Sequence, residues 1–329
     1  MELTYEEWRE ARKGVKRYMS VPNWALLIYY GIMNVAVFCW MLVEMVTNMI
    51  RVGLSGDSAA MESVIMESAQ SAWGYFIAAA IGFVILLIWK KPRYLKNEIF
   101  AKNRPMKAGE FFAILCIFLS GQLIFQLGTS GLELILNAFG YTIAEGIESM
   151  QVDPDNFSMF LYAGLLAPVT EELLFRGLIQ RTMVPFGKRI AIFASALTFG
   201  LFHGNLLQGP YAFVVGLVLG YVAVEYNILW AMVLHMINNL VLADMIYRLL
   251  GSLPDDTVNV IIWLIILVCS VVATVIMIVK RKQIAAWLRE NHTHREYVKC
   301  YFSCAGTILV LIILGLSTIF TTWMLVTPL

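Results

Sequence analysis

The sequence predicts an all-α polytopic membrane protein of about eight or nine transmembrane helices. Three observations carry that expectation. Hydrophobic residues make up 60% of the 329 and charged ones only 14%, more apolar surface than a soluble domain can cover. The apolar residues fall into runs of about twenty, the length that crosses a bilayer as a helix. Basic residues then gather in every second loop.

Taken in order, the chain begins with a charged stretch, Met1 to Ser20, that lacks an apolar centre. It reads as a cytosolic amphipathic lead-in over 1–23 rather than a cleavable signal. Spans follow near Trp24–Ile50, Ala72–Trp89 and Gly109–Leu127, the third with an extension to Phe139. Gly128-Thr129-Ser130-Gly131 interrupts that third run, so Leu132–Phe139 is expected as a separate short piece. Further spans are expected at Phe157–Met183, Ile190–Leu207, Tyr211–Tyr226, Ile228–Leu250, Val258–Val279 and Tyr301–Val326. The domains drawn from them are 24–140, 157–250 and 258–329, the last with a basic cytosolic loop at 280–299.

Loop charge tests this count. Lys90, Lys91, Arg93, Lys96, Lys102, Arg104 and Lys107 follow the second span; Arg181, Lys188 and Arg189 follow the fourth. Lys280, Arg281, Lys282, Arg289, Arg295 and Lys299 follow the eighth. The intervening loops carry Asp57, Glu62 and Glu67, then Glu145, Glu148, Asp153 and Asp155, then Asp255 and Asp256. Positive residues stay inside, so nine spans place the N-terminus in the cytosol and the C-terminus outside. The basic stretch 90–107 has few interleaved aromatics, which argues for anionic lipid as its neighbour and against nucleic acid. Cys39, Cys116, Cys269, Cys300 and Cys304 lie in or beside apolar segments without metal or CxxC spacing. They read as small buried residues, with acylation of Cys300 and Cys304 at a membrane boundary as the alternative.

Within the fourth span, Glu171-Glu172-Leu173-Leu174-Phe175-Arg176 puts three charges where lipid would otherwise lie. Each costs about 2.5–3.5 kcal/mol at mid-bilayer, against about 0.3–0.6 returned by one Leu or Phe. They must face protein or water. Glu172 and Arg176, four residues apart, share a helix face and can pair; Glu171 points about 100° away and stays available. The bland alternative is an ion-paired girdle that fixes helix packing.

Two more polar sites interrupt apolar helices. His203 ends Phe199-Gly200-Leu201-Phe202-His203, with Phe199 one turn earlier on the same face as a wall for the imidazole. His235 begins His235-Met236-Ile237-Asn238-Asn239, with Asn239 on its face. At about 1.5 Å per residue, all of these can meet at middle depth. His292 and His294 lie in a polar loop and read as solvated. A glutamate, two histidines and an asparagine in a low-dielectric cavity suit hydrolysis by activated water. Glu171 would be a base, the histidines would orient water or donate protons, and amide and imidazole N–H groups would stabilise an oxyanion. Two His and one Glu are also a catalytic-zinc ligand set, so a divalent metal stays open as a cofactor. P-loop, GxGxxG and HExxH patterns are absent from the sequence.

Together, Glu171-Glu172-x-x-x-Arg176, Phe199-x-x-x-His203 and His235-x-x-x-Asn239 resemble the CPBP family of intramembrane proteases. That family includes type II CAAX prenyl endopeptidases and bacteriocin-processing or self-immunity proteins. The likeness extends to Ala167-Pro168, Gly177, Gly204-Asn205 and Gln208 and covers roughly Phe157 to Leu242. It implies a catalytic core bundle of four helices within 157–250, around a water-filled cavity open toward one leaflet. It implies Glu171 as general base, His203 helping to activate water, and His235 with Asn239 as the oxyanion site. Glu172 and Arg176 would organise the acidic helix. The implied partners are the bilayer and a membrane-associated or prenylated protein or peptide, and the implied location is a prokaryotic plasma membrane. A non-catalytic immunity or scaffold protein and a proton-coupled transporter remain the alternatives.

Overall fold

In a computed structural model of the chain, residues 5–55, 71–94, 99–101, 103–149, 156–240, 249–250 and 253–329 are described. Lys96, Lys102, the acidic residues Asp57, Glu62, Glu67, Asp153 and Asp155, and the stretch 241–248 of the seventh expected span lie outside them. The fold is an all-α polytopic membrane protein. Among the described residues, five helices are long and apolar enough to cross a membrane, and shorter apolar helices stand among them.

Helix α1 (Tyr5–Ser55) runs unbroken through Pro22, so the expected lead-in and first span are one element. The reason is packing. Met19, Ser20 and Asn23 are buried, and Ser20 Oγ accepts the Gly306 N–H at 2.8 Å while Asn23 Nδ2 donates to Thr307 Oγ1 at 2.7 Å. Helix α2 (Trp73–Tyr94) lies against α1, where Gly82 leaves room for the Tyr29 ring. Helix α3 (Ala108–Ala138) is continuous across Gly128 and Gly131, contrary to the expected break. Each glycine costs only about 1 kcal/mol in a helix, and the apolar runs on either side outweigh that. Thr129 Oγ1 also satisfies itself on the Phe125 carbonyl at 2.8 Å. Beyond α3, a two-residue pairing joins β1 (Tyr141–Thr142) to β2 (Thr327–Pro328), and α4 (Ala144–Ser149) follows β1.

Helix α5 (Phe157–Phe186) carries the acidic pair and is not uniform. It passes through π turns at Tyr162–Leu166 and Leu173–Gln180, where bonds run from residue i to i+5. Pro168 accounts for the first: without an N–H, and with a ring that crowds the carbonyl four residues back, it cannot continue a regular turn. Helices α6 (Lys188–Phe202), α7 (Gly209–Glu225) and α8 (Ile228–Ile237) complete the group that holds the other two motifs. Gly216 and Gly220 on α7 bring it close to its neighbours. A Cβ at Gly216 would lie 3.1 Å from Phe199 and 3.2 Å from the Ala196 backbone, and one at Gly220 would meet Gln180 and Ile192.

Helix α9 (Asp255–Val279) packs on α3. The expected basic loop is instead two amphipathic helices, α10 (Arg281–Glu290) and α11 (Arg295–Phe302). His294 caps the second by accepting from Glu296 N. Cys300 and Cys304 are buried with Met19 and Ala194, so they are core residues rather than accessible thiols. Helix α12 (Ala305–Met324) then returns to α1 and α6. The main core gathers Leu26, Phe118, Phe175, Phe199, Leu219, Leu234 and Leu314, one or more side chains from each of α1, α3, α5, α6, α7, α8 and α12.

Candidate active site

The ion pair within α5 forms as the four-residue spacing predicts. Arg176 Nη1 donates to Glu172 Oε1 at 2.8 Å, and both side chains are fully buried. Arg176 Nη2 donates to the Gly216 carbonyl at 3.2 Å, and the guanidinium lies over the Phe199 ring, 4.4 Å from its centroid. Three elements therefore hold one cation. Such a pair gains from its partners only because the geometry is satisfied on several sides; removing one partner of a buried pair costs about 3–5 kcal/mol.

Glu172 also reaches the other histidine helix. Its Oε1 accepts from His235 Nδ1 at 3.0 Å. The opposite ring nitrogen, Nε2, lies 3.6 Å from Glu171 Oε2. Arg176, Glu172, His235 and Glu171 thus form a continuous series of alternating charge and imidazole across α5 and α8. Of the two carboxylates, Glu172 is sealed and Glu171 keeps 18% of its side chain exposed. The separation of 3.6 Å is beyond a direct hydrogen bond.

His203 closes the α6 helix. Its Nδ1 lies 2.8 Å from the Phe199 carbonyl. A carbonyl only accepts, so Nδ1–H donates and Nε2 carries the lone pair of the neutral ring. Phe199 stands edge-on to both imidazoles, at 4.7 Å from His203 and 5.6 Å from His235. It is the wall expected from the sequence, shared by two rings rather than one. The turn after His203 is fixed by Asn205, whose side chain accepts from Leu207 N and Gln208 N and donates to the His203 carbonyl at 3.0 Å. Thr322 Oγ1 on α12 accepts the Leu206 N–H at 2.8 Å, so the last helix supports this turn.

Asn239 enters the arrangement through α5. Its Nδ2 donates to the Ala163 carbonyl at 2.8 Å, and its Oδ1 accepts from Asn238 Nδ2 at 3.1 Å. Gly164 makes this approach possible, since a Cβ there would run into the Leu240 side chain. Of the six residues picked from the sequence, Glu171, Glu172, Arg176 and His235 are therefore joined by direct contacts and His203 by the shared Phe199 ring, while the hydrogen bonds of Asn239 go to Asn238 and Ala163. Sequence reasoning missed Tyr29 and Tyr162, both within electrostatic reach of Glu171, and the pair Gln122 and Tyr211 behind Asn238. The available signal was the presence of a Gln and several Tyr hydroxyls in spans that demand partners for them.

Segment 153–241 matches the family model described as Type II CAAX prenyl endopeptidase Rce1-like. The resemblance to the CPBP proteases is thus carried by more than three short patterns. The match spans about a quarter of the chain and contains Glu171, Glu172, Arg176, His203, His235 and Asn239. No curated protein and no solved structure matches the chain. Helices α1, α2, α3 and α9 to α12 lie outside the Rce1-like segment, yet α1, α3 and α12 supply Tyr29, Gln122 and Thr322 to its surroundings.

Zinc was open on the donor types alone. Among the described residues, no three His, Cys, Asp or Glu side chains are grouped to hold a metal ion. Glu171, His203 and His235 do not meet as a ligand set.

Proposed function

We propose that this protein hydrolyses a peptide bond of a membrane-associated protein or peptide, using water activated between Glu171 and the two histidines. The observation that carries this reading is the series Arg176–Glu172–His235–Glu171, with His203 and His235 sharing the Phe199 wall. The match to a CAAX endopeptidase model supports it.

In this reading Glu171, the more exposed carboxylate, takes a proton from water. The hydroxide oxygen bonds to the scissile carbonyl carbon and the carbonyl electrons move to oxygen. His203 Nε2 accepts a hydrogen bond from the same water and orients it. His235 Nε2–H and one N–H of Asn239 receive the developing oxyanion, each such donor being worth about 3–4 kcal/mol where measured. Glu172, itself bound by Arg176, accepts from His235 Nδ1 and so holds the ring with Nε2 toward Glu171. Collapse re-forms the carbonyl, breaks the C–N bond, and returns the proton on Glu171 to the leaving amine.

A substrate class is suggested by an apolar cavity whose lining includes Thr170, the residue before Glu171. A cavity of about 400 Å³ between α1, α2 and α5 is lined by Trp24, Ile28, Tyr29, Phe83, Leu174 and Leu178, with Thr170 at its edge. A lining so apolar suits the hydrocarbon portion of a lipidated or hydrophobic peptide, which is why a prenylated C-terminus is the first substrate to try. The purified protein is incubated with a quenched fluorogenic peptide ending in a farnesylated CAAX sequence. Cleavage by wild type and loss of at least about 10²-fold in Glu171→Ala are expected. Full cleavage by Glu171→Ala overturns the assignment, and protection or transport that survives the substitution favours the scaffold or carrier alternatives.

A further inference from the structure

Behind Asn239 lies a polar chain that no motif contains. Gln122 on α3 donates through Nε2 to Tyr211 Oη at 2.8 Å and to Asn238 Oδ1 at 3.1 Å. The Tyr211 hydroxyl on α7 donates to the same Asn238 Oδ1 at 2.6 Å. Asn238 Nδ2 then donates to Asn239 Oδ1, and Asn239 Nδ2 to the Ala163 carbonyl. Each group has one consistent sense, from the amide of Gln122 to the backbone of α5. With Oδ1 and one N–H of Asn239 committed, the amide cannot rotate by half a turn, and its second N–H has one direction left. The chain crosses four helices, and its origin, Gln122, lies outside the Rce1-like segment.

We propose that Gln122 and Tyr211 are positioning residues, which act through Asn238 to aim the free Asn239 N–H at the oxyanion. The proposal rests on the hydrolase reading above. A polar amide in an apolar span is otherwise a cost with no return; here it orders a donor whose direction decides how well charge is met in the transition state.

The test uses the full-length protein and the farnesylated fluorogenic peptide, with Gln122→Leu and Tyr211→Phe, each alone and combined with Asn239→Ala. In the single variants kcat is expected to fall about tenfold while KM stays within about twofold, because only the transition state uses the aimed donor. In the Asn239→Ala background neither substitution should lower kcat further. A kcat within about twofold of wild type, or an undiminished further loss on Asn239→Ala, overturns the proposal. Tyr211→Phe keeps the ring and its packing, so it decides the matter should Gln122→Leu fail to fold. A Glu171→Ala variant that cleaves normally brings down the hydrolase reading itself; a Glu171-dependent activity indifferent to Gln122 and Tyr211 brings down this inference alone.

Discussion

At the scale of single residues, Glu172 and Glu171 are neighbours with opposite surroundings. Glu172 is fully buried between Arg176 and His235, while Glu171 is partly exposed and faces the far side of the same imidazole. Substituting them should therefore produce different failures. Glu171→Gln is expected to keep the thermal unfolding temperature in detergent close to wild type while abolishing cleavage. Glu172→Gln leaves a buried guanidinium without its counter-charge and should lower stability by about 3–5 kcal/mol, read as a large drop in the unfolding temperature. Arg176→Lys should also fail, since one ammonium cannot reach Glu172 and the Gly216 carbonyl while covering the Phe199 ring. The Glu172–Arg176 pair and the Phe199 wall were legible in the sequence because both are one-turn relations within a helix. Gln122 and Tyr211 were not: they are separated by 89 residues, and a single polar side chain in an apolar run sets no period that could announce its partner.

At the scale of elements, close approach of helices decides where these side chains stand. Helix α7 carries no catalytic group, yet its Gly216 admits Phe199 and gives Arg176 a carbonyl. Gly216→Ala would bring a methyl group to 3.1 Å from the Phe199 ring and 3.2 Å from the Ala196 backbone, and is expected to cost about 1–3 kcal/mol along with activity. Gly164→Ala meets only the flexible end of Leu240, so its loss of stability should be smaller, and the comparison of the two unfolding temperatures checks the difference. The π turns of α5 were not legible. A regular helix was the expectation, and although Pro168 was in view, nothing in a linear pattern says whether proline ends a helix, bends it or widens it. The continuity of α1 and α3 was hidden for a related reason: charge and glycine mark local cost, while the packing that offsets it comes from residues hundreds of positions away.

At the scale of the whole molecule, the membrane class and the order of the spans were readable from composition and run length, since the bilayer fixes both. How the outer helices serve the centre was not. Tyr29, Gln122 and Thr322 reach the Rce1-like segment from α1, α3 and α12, contacts that only a folded chain brings together. Dependence on a metal is a property of the whole preparation and is tested as such. With the protein's own donors acting on water, activity is expected to survive dialysis against a chelator, and a loss restored by added zinc would reassign the Glu171, His203 and His235 set.

The bonds from Ser20 and Asn23 to the start of α12, and from Thr322 to the turn after His203, tie α1 to α12 and α12 to the centre. A nascent chain displays the acidic pair and both imidazoles well before the ribosome has made the helix that steadies one of them. On the hydrolase reading, competence would arrive only once α12 has been made, so that a chain cut short before it inserts in the bilayer without attacking its neighbours.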